Sequence, residues 1–316
     1  MKRNNFFVLA VVLAFCLAAT GCKHNDVAVA TADGGGVPNI QSWTAITPGT
    51  DNGTTGTFGT APGSSGISGI AYSGEKFVAG GYSGKMAYSS DGISWMGSNI
   101  STFSNSADSI TGIAYGGGKF VAVGTSGKMA YSSNGTSWTA ITPSPFNANH
   151  IMNIAYGGGR FVAVGNNGKT AHSSNGINWT PVTISTFGEN HIMGIAYGGG
   201  KFVAGGSCGQ MAYSADGTSW TNITSSQSIF GTNWVNGIAY GGGIESIAYG
   251  DGKFVAGGNY GQMAYSADGT NWTKITSSQS IFGKSQSEAI FSIAYGAGKF
   301  VAGGRFGRMA YSKQQE

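Results

Sequence analysis

The chain is short of charge. Asp, Glu, Lys and Arg make up 9% of its 316 residues, against about 25% in an ordinary soluble domain. No basic stretch interleaved with aromatics occurs, which excludes the usual nucleic-acid footprint. Cysteine is nearly absent, with only Cys16, Cys22 and Cys208, so a disulfide framework is excluded as the source of stability. Six prolines and no Gly-X-Y period exclude collagen. Beyond residue 22 no segment has the length and 3.6-residue period of a helix. Hydrophobic residues still reach 41% and aromatics 12%, enough for a core and too many for a disordered chain.

What is abundant is glycine, 56 residues, about 18% against roughly 7% in average usage. The other marked feature is the N-terminus. Lys2 and Arg3 precede an apolar run from Phe6 to Ala19, too short for a membrane span of about 20 residues. The following Ala19-Thr20-Gly21-Cys22 resembles a bacterial lipobox, with Ala19 where that pattern prefers Leu. The resemblance implies a signal peptide over 1–21, a lipid on Cys22 and a flexible tether over 22–40. By the same analogy, Lys23 after the Cys favours the outer membrane. Cys208 is then the single thiol left, and without Lys2 and Arg3 the chain carries 15 basic and 13 acidic residues.

From residue 67 the chain repeats itself. Ile-Ala-Tyr recurs with Tyr at 72, 115, 156, 197, 249 and 295, a spacing of 41 to 52 residues. That period signals a propeller or a solenoid. One unit reads as four short strands, Thr111–Tyr115, Lys119–Gly124, Lys128–Ser132 and Trp138–Thr142, here termed a to d. The a–b link Gly116-Gly117-Gly118 is a tight-turn sequence. Units begin near 67, 110, 151, 192, 244 and 290, and the last ends without its fourth strand. Trp43-Thr44-Ala45-Ile46-Thr47 matches Trp138-Thr139-Ala140-Ile141-Thr142 and supplies it. The expectation is an all-β, six-bladed β-propeller over 41–316, of four-stranded antiparallel blades and closed by the N-terminal strand. Seven blades is the alternative, should the echo Ile238-Ala239-Tyr240 conceal another unit.

The c–d turn reads Ser-x-Asp/Asn-Gly-x-x-Trp five times, with Asp91, Asn134, Asn175, Asp216 and Asp268 followed by Trp95, Trp138, Trp179, Trp220 and Trp272. This resembles the Asp-box (BNR) repeat of sialidases and other propeller proteins. The acidic or amide oxygen shapes the turn by accepting backbone N–H groups, and the Trp is expected to pack between sheets. One carboxylate per turn does not supply the several oxygens that calcium requires.

Repeat units differ mainly in the two residues between strands b and c and in the d–a connections. Both lie on one face of a four-stranded blade, opposite the Asp-boxes, and loops over a rigid scaffold commonly carry binding residues. Tyr82, Trp234, Tyr260 and Phe306 are the aromatic candidates there, with Arg305 beside Phe306. Lys85, Lys128, Lys169 and Arg308 are the cationic ones, opening strand c at one equivalent position.

Catalytic sets are incomplete. The Arg cluster and Arg-Ile-Pro element implied by a sialidase resemblance are missing. Asp108, Glu189 and Glu288 belong to separate units, too far apart for paired-carboxylate glycoside hydrolysis. His150 and His191 stand at equivalent positions and read as copied loop residues rather than zinc ligands. No cofactor or metal is expected. The sequence is read as a monomeric, non-catalytic envelope lipoprotein, membrane-anchored by its lipid, with carbohydrate or glycoconjugate as ligand. A protein-interaction scaffold is the alternative and a glycoside hydrolase a remote one.

Overall fold

The computed structural model of the protein describes residues 67–92, 94–98, 100–230, 244–284, 289–296, 299–304 and 309–312. Among these, the regular structure is six antiparallel sheets in chain order. The first holds β1 (Ile67–Tyr72), β2 (Phe77–Gly81), β3 (Met86–Ser89) and β4 (Met96–Ser98). The second holds β5 (Ile110–Gly116), β6 (Lys119–Gly124), β7 (Met129–Ser132) and β8 (Thr139–Ala140). The third has β9 (Ile151–Gly157), β10 (Arg160–Gly165), β11 (Lys169–Ser173) and β12 (Thr180–Thr183). The fourth has β13 (Ile192–Gly198), β14 (Lys201–Gly206), β15 (Met211–Ser214) and β16 (Thr221–Asn222). The fifth has β17 (Ile244–Gly250), β18 (Lys253–Gly258), β19 (Met263–Ser266) and β20 (Thr273–Lys274). The sixth has three strands, β21 (Ile290–Gly296), β22 (Lys299–Gly304) and β23 (Met309–Tyr311). The expected closing strand 43–47, the tether and the lipobox lie outside the described residues.

Each blade is a meander whose chemistry changes outward. The a strands pack beside one another from β1 to β21. The b strands read Phe-Val-Ala-Val/Gly-Gly and are buried almost throughout, as a strand covered on both faces must be. The d strands of the first five blades are short and mostly exposed, and those of blades two to five carry Thr, which blunts the outer edge of these sheets.

Two contacts lock each blade to the next. A Cβ on Gly116 would fall inside the Tyr156 ring of the following blade, and Gly157 stands in the same relation to Tyr197. The glycine therefore opens the a–b link because the next blade's aromatic ring rests on its bare Cα. On its other side that Tyr meets the Phe of its own b strand, with ring centroids 4.6 Å apart for Tyr156 and Phe161. The second contact is the glycine of the c–d turn, whose Cα faces a Val of the preceding blade, as Gly217 faces Val162.

Two single helical turns, α1 (Ser226–Phe230) and α2 (Ser278–Phe282), occur in d–a connections. They are too short to show helical periodicity. Ser226 and Ser278 hydroxyls donate to the carbonyls of Ile223 and Ile275, folding the chain back as each d strand ends.

Candidate functional site

The face that carries the Ser-x-Asp/Asn-Gly-x-x-Trp turns is built from buried serines. Ser132 Oγ donates to Asn134 Oδ1 at 3.1 Å and accepts the Gly135 N–H at 2.8 Å. Asn134 Oδ1 in turn accepts the N–H groups of Thr136 and Ser137 at 2.9 and 2.8 Å. The same lattice recurs around Asp91, Asn175, Asp216 and Asp268. The oxygens of Asp91, Asp216 and Asp268 thus close their own turns. The Thr218 hydroxyl, then the Ser219 N–H, hold the Asp216 carboxyl far below the usual carboxylate range. The Asn271 and Thr270 N–H groups do the same for Asp268. Trp272 is buried between the fourth and fifth blades, and its Nε1 donates to Gly269 O at 3.3 Å. Trp95 makes the corresponding bond to Gly92 O at 3.0 Å. Trp138, Trp179 and Trp220 pack on the equivalent shared clusters.

Two cations of this face lie over aromatic rings. Lys76 and Lys201 lie over Tyr88 and Tyr213 at 5.1 and 5.2 Å. In blade three the pair is Arg160 and His172, with Nη1 and Nδ1 3.4 Å apart. Burial and then the Arg160 charge push the His172 ring toward its neutral form.

The opposite face carries the b–c turns. Ser83, Ser126, Asn167, Cys208 and Tyr260 have φ of 55°, 55°, 56°, 57° and 59°, each followed by a glycine. The residue opening strand c bonds back three residues, as Lys128 N does to Thr125 O at 3.1 Å. This is a type I′ hairpin, whose twist matches that of the strands. The expected variable pair therefore divides in two. Its first residue belongs to the ladder end, and its second is the left-handed corner.

The d–a connections also have a constant part. Phe103, Phe146, Phe187, Phe230 and Phe282 are all 2% exposed or less. Each plugs the space beneath its loop, between its own blade and the next. Unit-by-unit spacing does not single out these residues, because they stand eight or ten residues after the Trp of the c–d turn in loops of unequal length. The recurring Ser-x-Phe at that point is the signal that finds them.

Polar side chains tie turn to loop and blade to blade. Asp108 is buried and pairs with Lys128 at 2.6 Å, and Asn190 Nδ2 donates to Gln210 Oε1 at 3.0 Å. These pairs share one 20-residue spacing, so they are equivalent. His150 Nδ1 accepts the Ser126 N–H of blade two at 2.9 Å, while its carbonyl accepts the Asn166 N–H of blade three. His191 joins blades three and four in the same way. Both histidines act as staples between adjacent turns. Among the described residues no group of three His, Cys, Asp or Glu converges as a metal site would require.

Of the candidate ligand-binding residues, Tyr82, Lys85, Lys128, Lys169 and Tyr260 are half-buried on this face. Trp234, Arg305, Phe306 and Arg308, like Glu288, lie outside the described residues. Tyr82 bridges to Ser109 across the turn, and burial pushes its phenol up. Tyr260 occupies a left-handed corner instead, in blade five, and its carbonyl accepts from Gln279 Nε2 at 3.0 Å. The two tyrosines are therefore neither equivalent nor adjacent in the blade order. The charge of Lys128 is balanced by Asp108. Cys208 is a buried corner residue with Sγ 4.0 Å from Asn190 Oδ1.

No protein-family profile matches the chain, and comparison with curated proteins finds no match. Solved structures do match. YCF48 bound to a D1 peptide is 14% identical, covers 79% of each chain and superposes with a TM-score of 0.56. YCF48 from Cyanidioschyzon merolae is 18% identical, with 77% of this chain and 81% of that one covered and a TM-score of 0.53. The computationally designed Ika8 protein is 12% identical, with 81% and 74% covered and a TM-score of 0.54. At these identities the likeness concerns the fold alone, and the fold it shares with this chain is an all-β propeller.

Proposed function

We propose that this protein is a non-catalytic binding module of the cell envelope, and that it takes up a polypeptide partner across the b–c/d–a face. A lipid on Cys22 holds it at the membrane, in the outer membrane by the residue that follows. One observation carries the reading. Five turns of closely matching backbone, each beside a buried Phe, carry four kinds of corner residue, and Ser126, Asn167 and Tyr260 present three different side chains at the surface. Rigid presentation of differing groups lowers the ordering cost of recognition. A protein of similar fold has been solved with a peptide bound. The carboxylate Asp108 is held by Lys128, which suits a scaffold better than an acid–base pair.

Tyr260 favours a second reading. Its backbone carbonyl accepts from the Gln279 side-chain amide, so an aromatic residue and an amide belong to one loop cluster, a combination suited to a sugar ring. Photo-crosslinking on intact cells from Ser126 and Asn167, with Thr136 on the Asp-box face as control, separates the two. A protein adduct from the first two sites alone is the expected result. A glycan array probed with residues 24–316 and with a Tyr82/Tyr260/Phe306 triple-alanine variant tests the alternative. Glycan binding that the variant loses, with no protein adduct, overturns the polypeptide reading. Equal adducts from both faces remove this face as the site.

A further inference from the structure

Asparagine followed by glycine is the dipeptide most prone to deamidate, because the glycine nitrogen is the least hindered nucleophile a chain offers to the side-chain amide. Among the described residues the pair occurs three times, at Asn134-Gly135, Asn167-Gly168 and Asn175-Gly176. The first and last lie in c–d turns, where the fold itself demands the glycine. Gly135 and Gly176 both have φ of 74°. A Cβ on them would stand 2.8 Å from Val78 and 3.0 Å from Val121 of the preceding blade. A side chain there is both strained and crowded. The hazard therefore cannot be removed by changing the residue that follows the asparagine.

Deamidation needs the Gly135 nitrogen to lose its proton to a base in solution and bond to Asn134 Cγ. The Cγ–Nδ2 bond then breaks, and ammonia leaves with a proton. Water opens the cyclic imide to an aspartate or an isoaspartate. The closed turn obstructs the first of these steps twice. Gly135 is buried and its N–H donates at 2.8 Å to Ser132 Oγ, itself 1% exposed, out of reach of hydroxide. That hydroxyl donates its own proton to Asn134 Oδ1 at 3.1 Å, and as a neutral group it is no base. The Thr136 and Ser137 N–H groups hold the same Oδ1, which fixes the amide plane and keeps Cγ from turning to the nitrogen. Ser173, Asn175, Gly176, Ile177 and Asn178 repeat these bonds in blade three.

We propose that Asn134 and Asn175 are latent deamidation sites, kept unreacted by the closed turn and modified only while their own turn is open. The two products then part ways. An aspartate closes again with the bonds that Asp216 and Asp268 make in blades four and five. An isoaspartate carries the main chain through Cβ and Cγ, one atom longer, and cannot restore the serine–glycine bond together with the Oδ1 bonds. Each isoaspartate is thus a lasting mark on a blade whose turn has opened. The proposal is independent of what the loop face binds.

The test follows deamidation in the full chain, folded and in urea, at mildly alkaline pH. Peptide mass spectrometry reads the conversion of amide to acid at each site. Both sites should react at least about tenfold more slowly in the folded protein, because reaction there waits on local opening. Equal rates in the two conditions overturn the proposal. Ser132→Ala should bring Asn134 toward its rate in urea and leave Asn175 unchanged, and Ser173→Ala should do the reverse. Asn167 is a second reference, since its Gly168 N–H is held by the Asn190 carbonyl at 2.7 Å and by no hydroxyl. Ser132→Thr keeps the hydroxyl and should keep the protection. A folded Ser132→Ala protein in which Asn134 reacts no faster, or in which both sites accelerate alike, overturns protection turn by turn. Should Ser132→Ala not fold, Ser173→Ala and the comparison with urea decide the matter by the same criteria.

Discussion

At the scale of the residue, the Ser-x-Asp/Asn-Gly-x-x-Trp turn works with a buried hydroxyl and one side-chain oxygen. Asn134 and Asn175 make the same bonds as Asp216 and Asp268, so the geometry does not require charge. Charge shows in the response to acid. A carboxyl whose pKa falls on folding stabilises the fold above its unfolded value near 4, and that contribution is lost as pH falls. Asp216→Asn combined with Asp268→Asn should therefore reduce the fall in melting temperature between pH 5 and pH 2. Thermal melts across that range check it, and an unchanged acid limb would remove these carboxyls as its source. Thr170 presents the opposite case. It is 3% exposed, its hydroxyl meets no partner, and the equivalent residues Met86, Met129, Met211 and Met263 are apolar. Thr170→Val keeps the shape and removes the unpaired group, so a gain of about 1 kcal/mol in denaturant unfolding is expected.

At the scale of the element, the plug outweighs the turn it supports. Phe187→Ala should cost about 3–5 kcal/mol, because a fully buried ring leaves a cavity between two blades. Tyr260→Asn should act in the other direction. A left-handed corner disfavours a bulky side chain and tolerates Asn, so a gain of about 1 kcal/mol is expected together with weaker partner capture. A variant that gains stability and retains full binding would remove Tyr260 from the recognition face.

Elements were legible in the sequence where local chemistry dictates them. Gly117 and Gly118 mark the a–b hairpin, and the Ser-x-Asp/Asn-Gly-x-x-Trp turn marks the c–d link. The plug was not legible as structure, because Phe103 and Phe230 sit in loops whose lengths and neighbours differ. Only their shared burial shows them to be one feature. The histidines were legible as copies of one another. That they staple adjacent turns is a tertiary fact, set by where the neighbouring blade places its Ser126 or Asn167 N–H.

At the scale of the whole molecule, the scarcity of charge has a thermodynamic counterpart. Among the described residues one salt bridge occurs, between Lys128 and Asp108. Cohesion comes from apolar sockets, aromatic rings on bare Cα atoms and hydrogen-bonded turns. Salt screens exposed charges and leaves such contacts largely intact. The melting temperature at neutral pH should therefore move by no more than a few degrees between 0.05 and 0.5 M sodium chloride, as scanning calorimetry can establish. A steep dependence would point to an electrostatic contribution from residues beyond those described.

Because Tyr156 rests on Gly116 as Tyr197 rests on Gly157, the trailing side of one blade fits the leading side of any other. Such an array is modular in heredity as well as in shape. A recombination event that slips the coding sequence by one unit, in frame, adds or deletes a blade without requiring a new interface to arise. The doubled Thr-Ser-Ser-Gln-Ser-Ile-Phe-Gly at 224–231 and 276–283 is the kind of trace such slippage leaves. Diversity can then accumulate at the corners of the b–c turns while every joint remains interchangeable.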